Sequence, residues 1–273
     1  MGTQLLLIGC VGVVVVFTGC AASPIGQADL TARVRAELAA EPAESDAAVI
    51  LTAAIDRAGR TAPEARGAIL ETALAQAKEA REFQIKEESP LPDGWPRPSL
   101  PGLIRVKTYP PVRSAWVRDP EKRNRQFMVL FRHIQDQQIA MTAPVVMEYS
   151  PSAAENPAKM DSAQAMAFLY RRTSQGQAGQ AGAVVVGDER RLQVVSVGRK
   201  GSYGEANFRR ALTDLRQWLS THPHWRPAGP PRVLAYNSPF MLFWQKYSEV
   251  QLPIEPAGAQ SPATLPAGGP SGP

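Results

Sequence analysis

The periodicity of apolar residues predicts helices over residues 21–88. Ala and Glu dominate this segment, and apolar residues recur at helical spacing between positions 69 and 80. Three residues occupy positions where helix N-caps are expected: Thr31, Asp46 and Thr61. The apolar stripes are narrow and rich in alanine, so we expect these helices to lie on another surface or to form a stalk.

A longer body, residues 103–256, alternates between strand-like and helix-like periodicity. Its first half predicts the order strand, strand, helix, strand, strand: 103–109, 113–117, 120–135, 139–149 and 165–172. Its second half repeats that order: 183–186, 192–199, 204–221, 232–236 and 247–254. The pattern predicts an α+β fold of two pseudo-repeats, with about eight antiparallel strands and two helices. Eight antiparallel strands can wrap into a barrel that holds side chains or one small ligand.

Composition marks the segments outside these elements. Residues 89–102 contain five prolines, which predicts a linker between the helical segment and the body. Residues 174–182 are rich in Gly, Gln and Ala, which predicts a flexible loop inside the body. Residues 257–273 carry no charged side chain and are mostly Pro, Gly and Ala, which predicts a disordered tail.

The N-terminus has the pattern of an export signal. The apolar run over residues 5–17 is shorter than the roughly 17–25 residues of a spanning helix, and it matches a signal-peptide core of about 7–15. Small residues precede Cys20, and this arrangement resembles a bacterial lipobox. We therefore expect residues 1–20 to be a lipoprotein-type signal peptide, with Cys20 lipidated and the protein held at a cell-envelope membrane. An uncleaved signal anchor and plain secretion are the alternatives, and all three predict export.

Several function classes are excluded by the residues that the chain lacks. The protein has 273 residues, a net charge of +5 and two cysteines, Cys10 and Cys20, so the body has no disulfide, no Cys-ligated metal and no cysteine nucleophile. No third ligand accompanies His222 and His224, so we expect no metal site. Glycine-rich phosphate loops, G-x-S-x-G and H-E-x-x-H are absent, which favours a protein without enzymatic activity. The basic residues form no recognisable nucleic-acid module, so we expect no nucleic-acid partner.

Four short motifs make the body more specific. In chain order they are Tyr-Pro-Pro at 109–111 with Ala-Trp-Val at 115–117, Ile-Ala-Met-Thr-Ala-Pro-Val at 139–145, Ala-Tyr-Asn-Ser-Pro-Phe at 235–240, and Ser-Glu-Val-Gln-Leu-Pro-Ile at 248–254. In content and order they resemble the motifs of the SOUL (haem-binding protein) family, over about residues 100–256. The resemblance implies a distorted antiparallel β-barrel built from two repeats with a helix from each. It also implies non-covalent binding of haem or a related tetrapyrrole.

The same resemblance implies a site beside the first helix of the body and a nearby loop of the second half. Carried onto this sequence, the porphyrin faces would meet Phe127, Met128 and Phe131 on that helix. Phe240 and Met241 are further candidates because they belong to an apolar cluster on a predicted loop, and an exposed cluster of this kind often marks a binding surface, with core packing as its alternative role. Arg132 is the candidate partner of a propionate, and His133 is a candidate iron ligand. His133 lies on the flank of the apolar stripe, which argues against ligation. Packing in an ordinary core is the alternative role of the phenylalanines.

Three other functions remain open from the sequence. The first is binding of another amphipathic small molecule, because fold alone does not fix the ligand. The second is an enzyme acting on such a ligand, for which the candidate carboxylates are Glu148, Glu205 and Glu249. The third is a structural envelope protein without a ligand. A buried, strongly perturbed glutamate in an apolar cleft would favour the enzyme, and a filled interior without a cleft would favour the structural protein.

Overall fold

The periodic stretches of the sequence become helices and antiparallel strands in the computed structural model, which describes residues 24–119 and 123–258. The chain divides into two compact units, one ending at Lys78 and the other beginning at Glu79. No helix within the described residues is long and apolar enough to cross a membrane.

The first unit contains three helices: α1 (Pro24–Ala40), α2 (Asp46–Gly59) and α3 (Pro63–Glu82), of which α3 runs into the second unit. Ser45 is the N-cap of α2, where its hydroxyl accepts a hydrogen bond from the Ala48 N–H at 3.0 Å. The sequence prediction of Asp46 at that position is therefore wrong by one residue. Thr31 lies inside α1 and not at its start, because the helix begins earlier, at Pro24.

The second unit contains the remaining elements. Its ten strands are β1 (Ile104–Tyr109), β2 (Val112–Arg118), β3 (Val145–Glu148), β4 (Ala165–Leu169), β5 (Gly179–Ala181), β6 (Val184–Glu189), β7 (Leu192–Lys200), β8 (Trp225–Pro227), β9 (Arg232–Ala235) and β10 (Tyr247–Pro256). Its further helices are α4 (Arg123–Asp136), the short α5 (Pro151–Glu155) and α6 (Glu205–Ser220). Single 3₁₀ turns occupy Pro157–Lys159 and Phe243–Gln245.

All pairings between the strands are antiparallel, in the order β1-β7-β10-β9-β3-β4-β2-β6-β5, with β8 paired to the far end of β10. The α+β class is confirmed. The expected closure into a barrel is not seen, because in the described part of the chain β1 and β5 end the sheet and do not pair with each other. The strand number exceeds eight because the Gly-rich run 174–182 contributes β5 and residues 225–227 contribute β8.

The strand order is symmetrical about the β3–β9 pair, as expected for two pseudo-repeats. On one side of this pair lie β4, β2 and β6, and on the other side β10, β7 and β1. The second strand and the last two strands of each repeat stay together, whereas the first strand is exchanged: β1 pairs with β7 of the second repeat, and β6 pairs with β2 of the first. The exchange joins the two repeats into one sheet.

The sheet is buried on both faces because side chains alternate along each strand. In β9, Val233 and Ala235 belong to the core beneath α4 and α6, whereas Leu234 belongs to a second core on the opposite face. An extended stretch, residues 83–101, covers this second face, and we call it the covering segment. Its Trp95 is buried with its ring centroid 4.5 Å from that of Tyr109. Most of the stretch predicted as a linker is therefore packed on the sheet.

The segment before β3 is not a strand, in contrast to the prediction of one strand over 139–149. Gln138 has a positive φ of 54° at the end of α4, which turns the chain. The Thr142 hydroxyl then donates to the Leu169 carbonyl, and the Ala143 N–H donates to the Pro90 carbonyl at 3.0 Å. These bonds join residues 139–144 to β4 and to the covering segment, and regular pairing starts only at Val145.

Candidate functional site

Helix α4 presents two aromatic rings beside the sheet. Leu130 and Ile134 are buried in the core, whereas Phe127 and Phe131 on the neighbouring stripe are half-buried. The rings of Phe127 and Phe131 are nearly parallel, with centroids 6.1 Å and planes 11° apart. Phe127 also packs edge-on against Phe168 of β4, with centroids 5.1 Å apart. The core contact fixes the orientation of the first ring, and the second follows one turn later.

These rings form one wall of a cleft with a volume of about 370 Å³. The other walls come from four stretches: Glu88–Ser89, Met141–Ala143, Val145, and 235–240. Two of the motifs found in the sequence, at 139–145 and 235–240, therefore meet in one place. Most of the lining is apolar, and small-molecule sites in proteins are typically about 300–1,000 Å³. This arrangement suits a flat apolar ligand.

The wall opposite α4 is the loop after β9, and hydrogen bonds fix its base. Asn237 donates through Nδ2 to the Lys86 carbonyl at 2.7 Å and accepts at Oδ1 from the Tyr247 N–H at 2.8 Å. The Ser238 N–H donates to the Glu88 carboxylate at 2.6 Å. The loop is thus tied to both β10 and the covering segment, so the width of the cleft is set by the fold.

The polar groups of the cleft give it no positive charge. Of the residues that line it in the described part of the chain, none is Lys or Arg, and Glu88 is the only charged one. Thioether sulfur is available from Met128 and Met141, and no His or Cys is among the lining residues. The cleft can hold apolar surface on both walls, while a charged substituent of a ligand would have to point to solvent.

The structure brings together four of the seven binding residues predicted from the sequence: Phe127, Met128, Phe131 and Phe240. Arg132 and His133 line a different depression, with Val129, Asp136 and Val184. Met241 follows Phe240 but is not among the cleft residues. The predicted lipidation site, Cys20, lies outside the described residues.

His133 has a partner of its own. Its Nε2 lies 2.9 Å from the Tyr170 hydroxyl, and which atom carries the proton depends on the tautomer. Burial lowers the pKa of His133 below its ordinary value of 6.5, although nearby Asp136 acts in the opposite direction. A neutral imidazole bonded to a tyrosine is consistent with a packing role on the flank of α4.

A second chemical cluster lies on the opposite face of the sheet, around the fully buried Glu249 of β10. Its Oε1 lies 2.5 Å from Lys107 Nζ and accepts from the Ser99 N–H at 2.9 Å. Tyrosine hydroxyls surround the same carboxylate: Tyr247 at 3.2 Å, Tyr109 at 3.1 Å and Tyr236 at 3.4 Å. The covering segment closes this cluster from above, because it supplies Ser99 and because Lys107 also donates to the Arg97 carbonyl.

The surroundings of Glu249 keep it ionised. Burial alone would raise the pKa of its carboxyl, but the charge and hydrogen bond of Lys107, with the donors Ser99 and Tyr109, outweigh burial and hold the pKa below its ordinary value of 4.5. Burial and the adjacent carboxylate raise the pKa values of Tyr109 and Tyr236 well above the ordinary 10.0. At neutral pH Glu249 is therefore ionised and carries no proton that it could donate to a ligand.

None of the three candidate carboxylates is a buried, strongly perturbed glutamate in an apolar cleft, which is the feature that would favour an enzyme. Glu249 is buried, but it lies in a polar cluster and not in the apolar cleft. Glu148 pairs with Arg118 at 3.2 Å, and Glu205 is half exposed beside Arg209. Within the described residues, no group of three or more His, Cys, Asp or Glu side chains is placed to hold a metal ion.

Sequence reasoning missed several residues that shape both sites. Met141, Asn237 and Ser238 lie inside motifs that were recognised, but a motif does not show that its residues face a cleft. Glu88 belongs to a stretch without periodicity, so no signal identified it. Lys107 offered a weak signal of a buried polar cluster, because it lies inside the predicted strand 103–109 and on the same face of that strand as Tyr109.

Comparison with known proteins agrees with the motifs. Residues 102–253, more than half of the chain, match the family described as SOUL heme-binding protein. No curated protein matches the sequence.

Several solved structures match part of the chain at low identity. The C-terminal domain of EcmrR has 15% identity and a TM-score of 0.42, with 56% of this chain and 98% of that chain covered. An uncharacterized conserved protein from Listeria innocua has 11% identity and a TM-score of 0.42, with 56% and 92% covered. A hydrolase from Listeria innocua has 10% identity and a TM-score of 0.40, with 66% and 98% covered. Likeness of this degree says nothing about ligand or activity.

Proposed function

The chain belongs to the SOUL haem-binding protein family, and we propose that it binds haem or a related tetrapyrrole non-covalently in the cleft between α4 and the loop after β9. The observation that carries this proposal is the pair of nearly parallel rings, Phe127 and Phe131, in a mostly apolar cleft built from two family motifs. Apolar and aromatic walls with few polar groups are typical of small-molecule sites. The protein would act as a binder or carrier and not as an enzyme.

The residues present fit a haem that is held by its faces. Phe127, Phe131 and the apolar residues of 141–145 offer contact to the macrocycle, and Met128 and Met141 offer thioether sulfur near it. The absence of Lys and Arg from the described lining means that the propionates would project to solvent. His133 is turned to a different depression, so the proposal does not include histidine ligation.

A second candidate is an amphipathic small molecule without negative charge. The observation in its favour is Glu88, the only charged residue in the described lining, whose carboxylate lies where an anionic substituent would be repelled. A neutral or cationic flat molecule would avoid this repulsion. Haem and such a molecule would use the same apolar walls, and competition between them distinguishes which binds more tightly.

An absorbance titration of the full chain with haemin tests the proposal. We expect a Soret change that saturates at micromolar protein. Met128→Asp should weaken binding about tenfold or more, because it places a charge on the apolar wall. Met128 is 46% exposed, so this change should leave the fold intact. The matched control is Val185→Asp, at a side chain 48% exposed on β6 and outside the cleft.

The titration tests separately whether the protein binds a tetrapyrrole and whether the cleft is the binding site. No Soret change at micromolar protein would contradict tetrapyrrole binding. A Soret change that Met128→Asp and Val185→Asp affect equally would contradict the cleft as its site. Retention of the wild-type circular dichroism spectrum by both variants ensures that the comparison concerns binding.

We also propose that the protein is exported and attached to a cell-envelope membrane through a lipid on Cys20. The support is the sequence alone: an apolar run of signal-peptide length followed by small residues and a cysteine. In a protein attached to this membrane, the cleft would bind its hydrophobic ligand beside a lipid surface.

A further inference from the structure

The loop between β9 and β10 exposes an unusual concentration of large apolar side chains. Among the side chains that the structure describes, in residues 29–119 and 124–258, six large apolar ones are exposed, and four of them belong to residues 239–246, which we call the apolar loop. These four are Phe240 at 93%, Leu242 at 53%, Phe243 at 62% and Trp244 at 56% exposure. Of the other two, Met128 faces the same loop across the cleft and Val185 lies on β6. Exposed apolar patches of this kind mark interaction sites.

The apolar loop is held in place by its own hydrogen bonds. Lys246 Nζ donates to the Pro239 carbonyl at 2.7 Å, which closes the loop at its two ends. The Gln245 N–H donates to the Leu242 carbonyl at 2.9 Å within the 3₁₀ turn Phe243–Gln245. The rings of Phe243 and Trp244 pack edge to face with centroids 5.0 Å apart. The fold therefore presents these side chains to the surroundings in a fixed arrangement.

We propose that the apolar loop inserts into the interfacial region of a lipid bilayer. Phe, Leu and Trp are the side chains that favour the boundary between headgroups and acyl chains, with Trp at the level of the headgroups. The sequence contains no Asp or Glu between Pro239 and Ser248, and Lys246 is the one charged residue there. Insertion of this loop would thus bury apolar surface without taking a carboxylate near anionic lipid.

A lipid surface fits the apolar loop better than a second copy of the chain does. A stable protein interface uses about 20–30 residues from each side, and four side chains on one loop fall far short of this. Phe240 is 93% exposed, so its side chain projects from the surface and is not part of a flat patch. The predicted lipid on Cys20 would independently bring the chain to a membrane.

Insertion would also orient the cleft. Phe240 belongs both to the apolar loop and to the cleft wall opposite Met128. A loop inserted in the bilayer would therefore hold the mouth of the cleft against the lipid, where hydrophobic ligands dissolve. This consequence rests on the proposed ligand function, whereas insertion of the loop does not.

Quenching of tryptophan fluorescence by brominated lipid tests the insertion on the full chain. The probe is vesicles of phosphatidylglycerol and phosphatidylcholine in which the phosphatidylcholine acyl chains are brominated, because bromine quenches tryptophan on contact. We expect part of the emission to be quenched and Trp244→Phe to remove that part. The matched control is Trp218→Phe on α6, which should lower total emission and keep the quenched part.

A charge on the apolar loop provides the second variant. Phe243→Asp should lower the quenched part of the signal by about half or more, because a carboxylate resists insertion into the bilayer. Val185→Asp should leave the quenched part unchanged. Equal quenching of the wild type and of Trp244→Phe would overturn the proposal. The loop would be assigned to contact with a second copy of the chain if two results coincide. The wild type would show no quenching by the brominated lipid, and it would form dimers at rising concentration that Phe243→Asp abolishes. Haemin binding does not enter this readout, so its failure would leave the result intact.

Discussion

Lys107 Nζ lies 2.5 Å from Glu249 Oε1, and both side chains are buried between the sheet and the covering segment. The pair joins β1 to β10 across the intervening strand β7, and the carboxylate also accepts from Ser99 of the covering segment. An ion pair taken from water stabilises a fold only when its remaining hydrogen-bonding groups are satisfied. Here three tyrosine hydroxyls and two backbone groups meet that requirement.

Removal of Lys107 should leave a buried carboxylate without its counter-charge. Lys107→Met keeps most of the side-chain volume, and we expect the free energy of unfolding to fall by about 3–5 kcal/mol. Urea denaturation followed by tryptophan fluorescence measures this loss. Lys159→Met is the control, because Lys159 is exposed and its loss should change stability by less than about 0.5 kcal/mol. Similar midpoints for the two variants would contradict a structural role of the pair.

Stability should fall in acid because the pKa of Glu249 is depressed in the folded state. A carboxyl with a folded pKa below its ordinary value of 4.5 binds fewer protons when folded than when unfolded. Its contribution to the free energy of unfolding is therefore fully present above about pH 4.5 and is lost as the pH falls through the folded pKa. Urea midpoints between about pH 3 and pH 6 measure the slope. Glu249→Gln should flatten it, and an unchanged slope in that variant would show that other carboxyls cause the acid sensitivity.

Local periodicity predicted what depends on neighbours in sequence. Phe127 and Phe131 were assigned to one helix face because they are four residues apart, and both line the cleft. The alternation in strands likewise predicted the two-repeat order. The same reasoning could not find Lys107 as the partner of Glu249, because the two residues are 142 positions apart and their contact depends on the strand order.

The covering segment shows a second limit of sequence reasoning. Residues 83–88 were predicted as helix, but they are extended because α3 ends at Glu82. All prolines of the segment follow them, and composition alone does not separate a free linker from an extended chain that packs on a sheet. Trp95 is a signal for packing that the prediction of a linker did not use, since a large aromatic ring gains free energy when it is buried. Its neighbour in space, Tyr109, belongs to a strand, and no pattern within the segment identifies it.

Gly198 should be required for the covering segment to lie on the sheet. A Cβ at this position of β7 would collide with the Tyr247 hydroxyl and approach the Ser99 carbonyl to 2.9 Å. Gly198→Ala must displace one of them, so we expect a loss of about 1–3 kcal/mol in the free energy of unfolding. The control is Gly187→Ala on β6, where an added Cβ meets nothing within 4 Å. Equal stability of the two variants in urea would argue against a tight approach at Gly198.

Cys20→Ser should release the protein from membranes or leave an unprocessed precursor, because a lipid can attach only to the thiol. Cys10→Ser is the matched control, since Cys10 lies within the apolar run and not after small residues. Fractionation of cells with mass measurement of the N-terminus distinguishes the forms. Unchanged membrane association of Cys20→Ser, with residues 1–19 still attached in both it and the wild type, would support a signal anchor in place of a lipoprotein.

Phe131→Ala should weaken haemin binding more than any change at a histidine. Burial of an aromatic side chain contributes about 1.5–3 kcal/mol, so loss of the Phe131 ring from the cleft predicts several-fold to about hundredfold weaker binding. Arg132→Ala should cost less, because an exposed contact with a propionate contributes about 0–1 kcal/mol and Arg132 lines a different depression. His133→Ala should leave the Soret maximum nearly unmoved, because His133 bonds to Tyr170. Thermal unfolding of each variant confirms that it is folded. A large Soret shift in His133→Ala would mean that the iron is ligated by this histidine, and that the ligand lies in the depression of Arg132 and not in the cleft of Phe131.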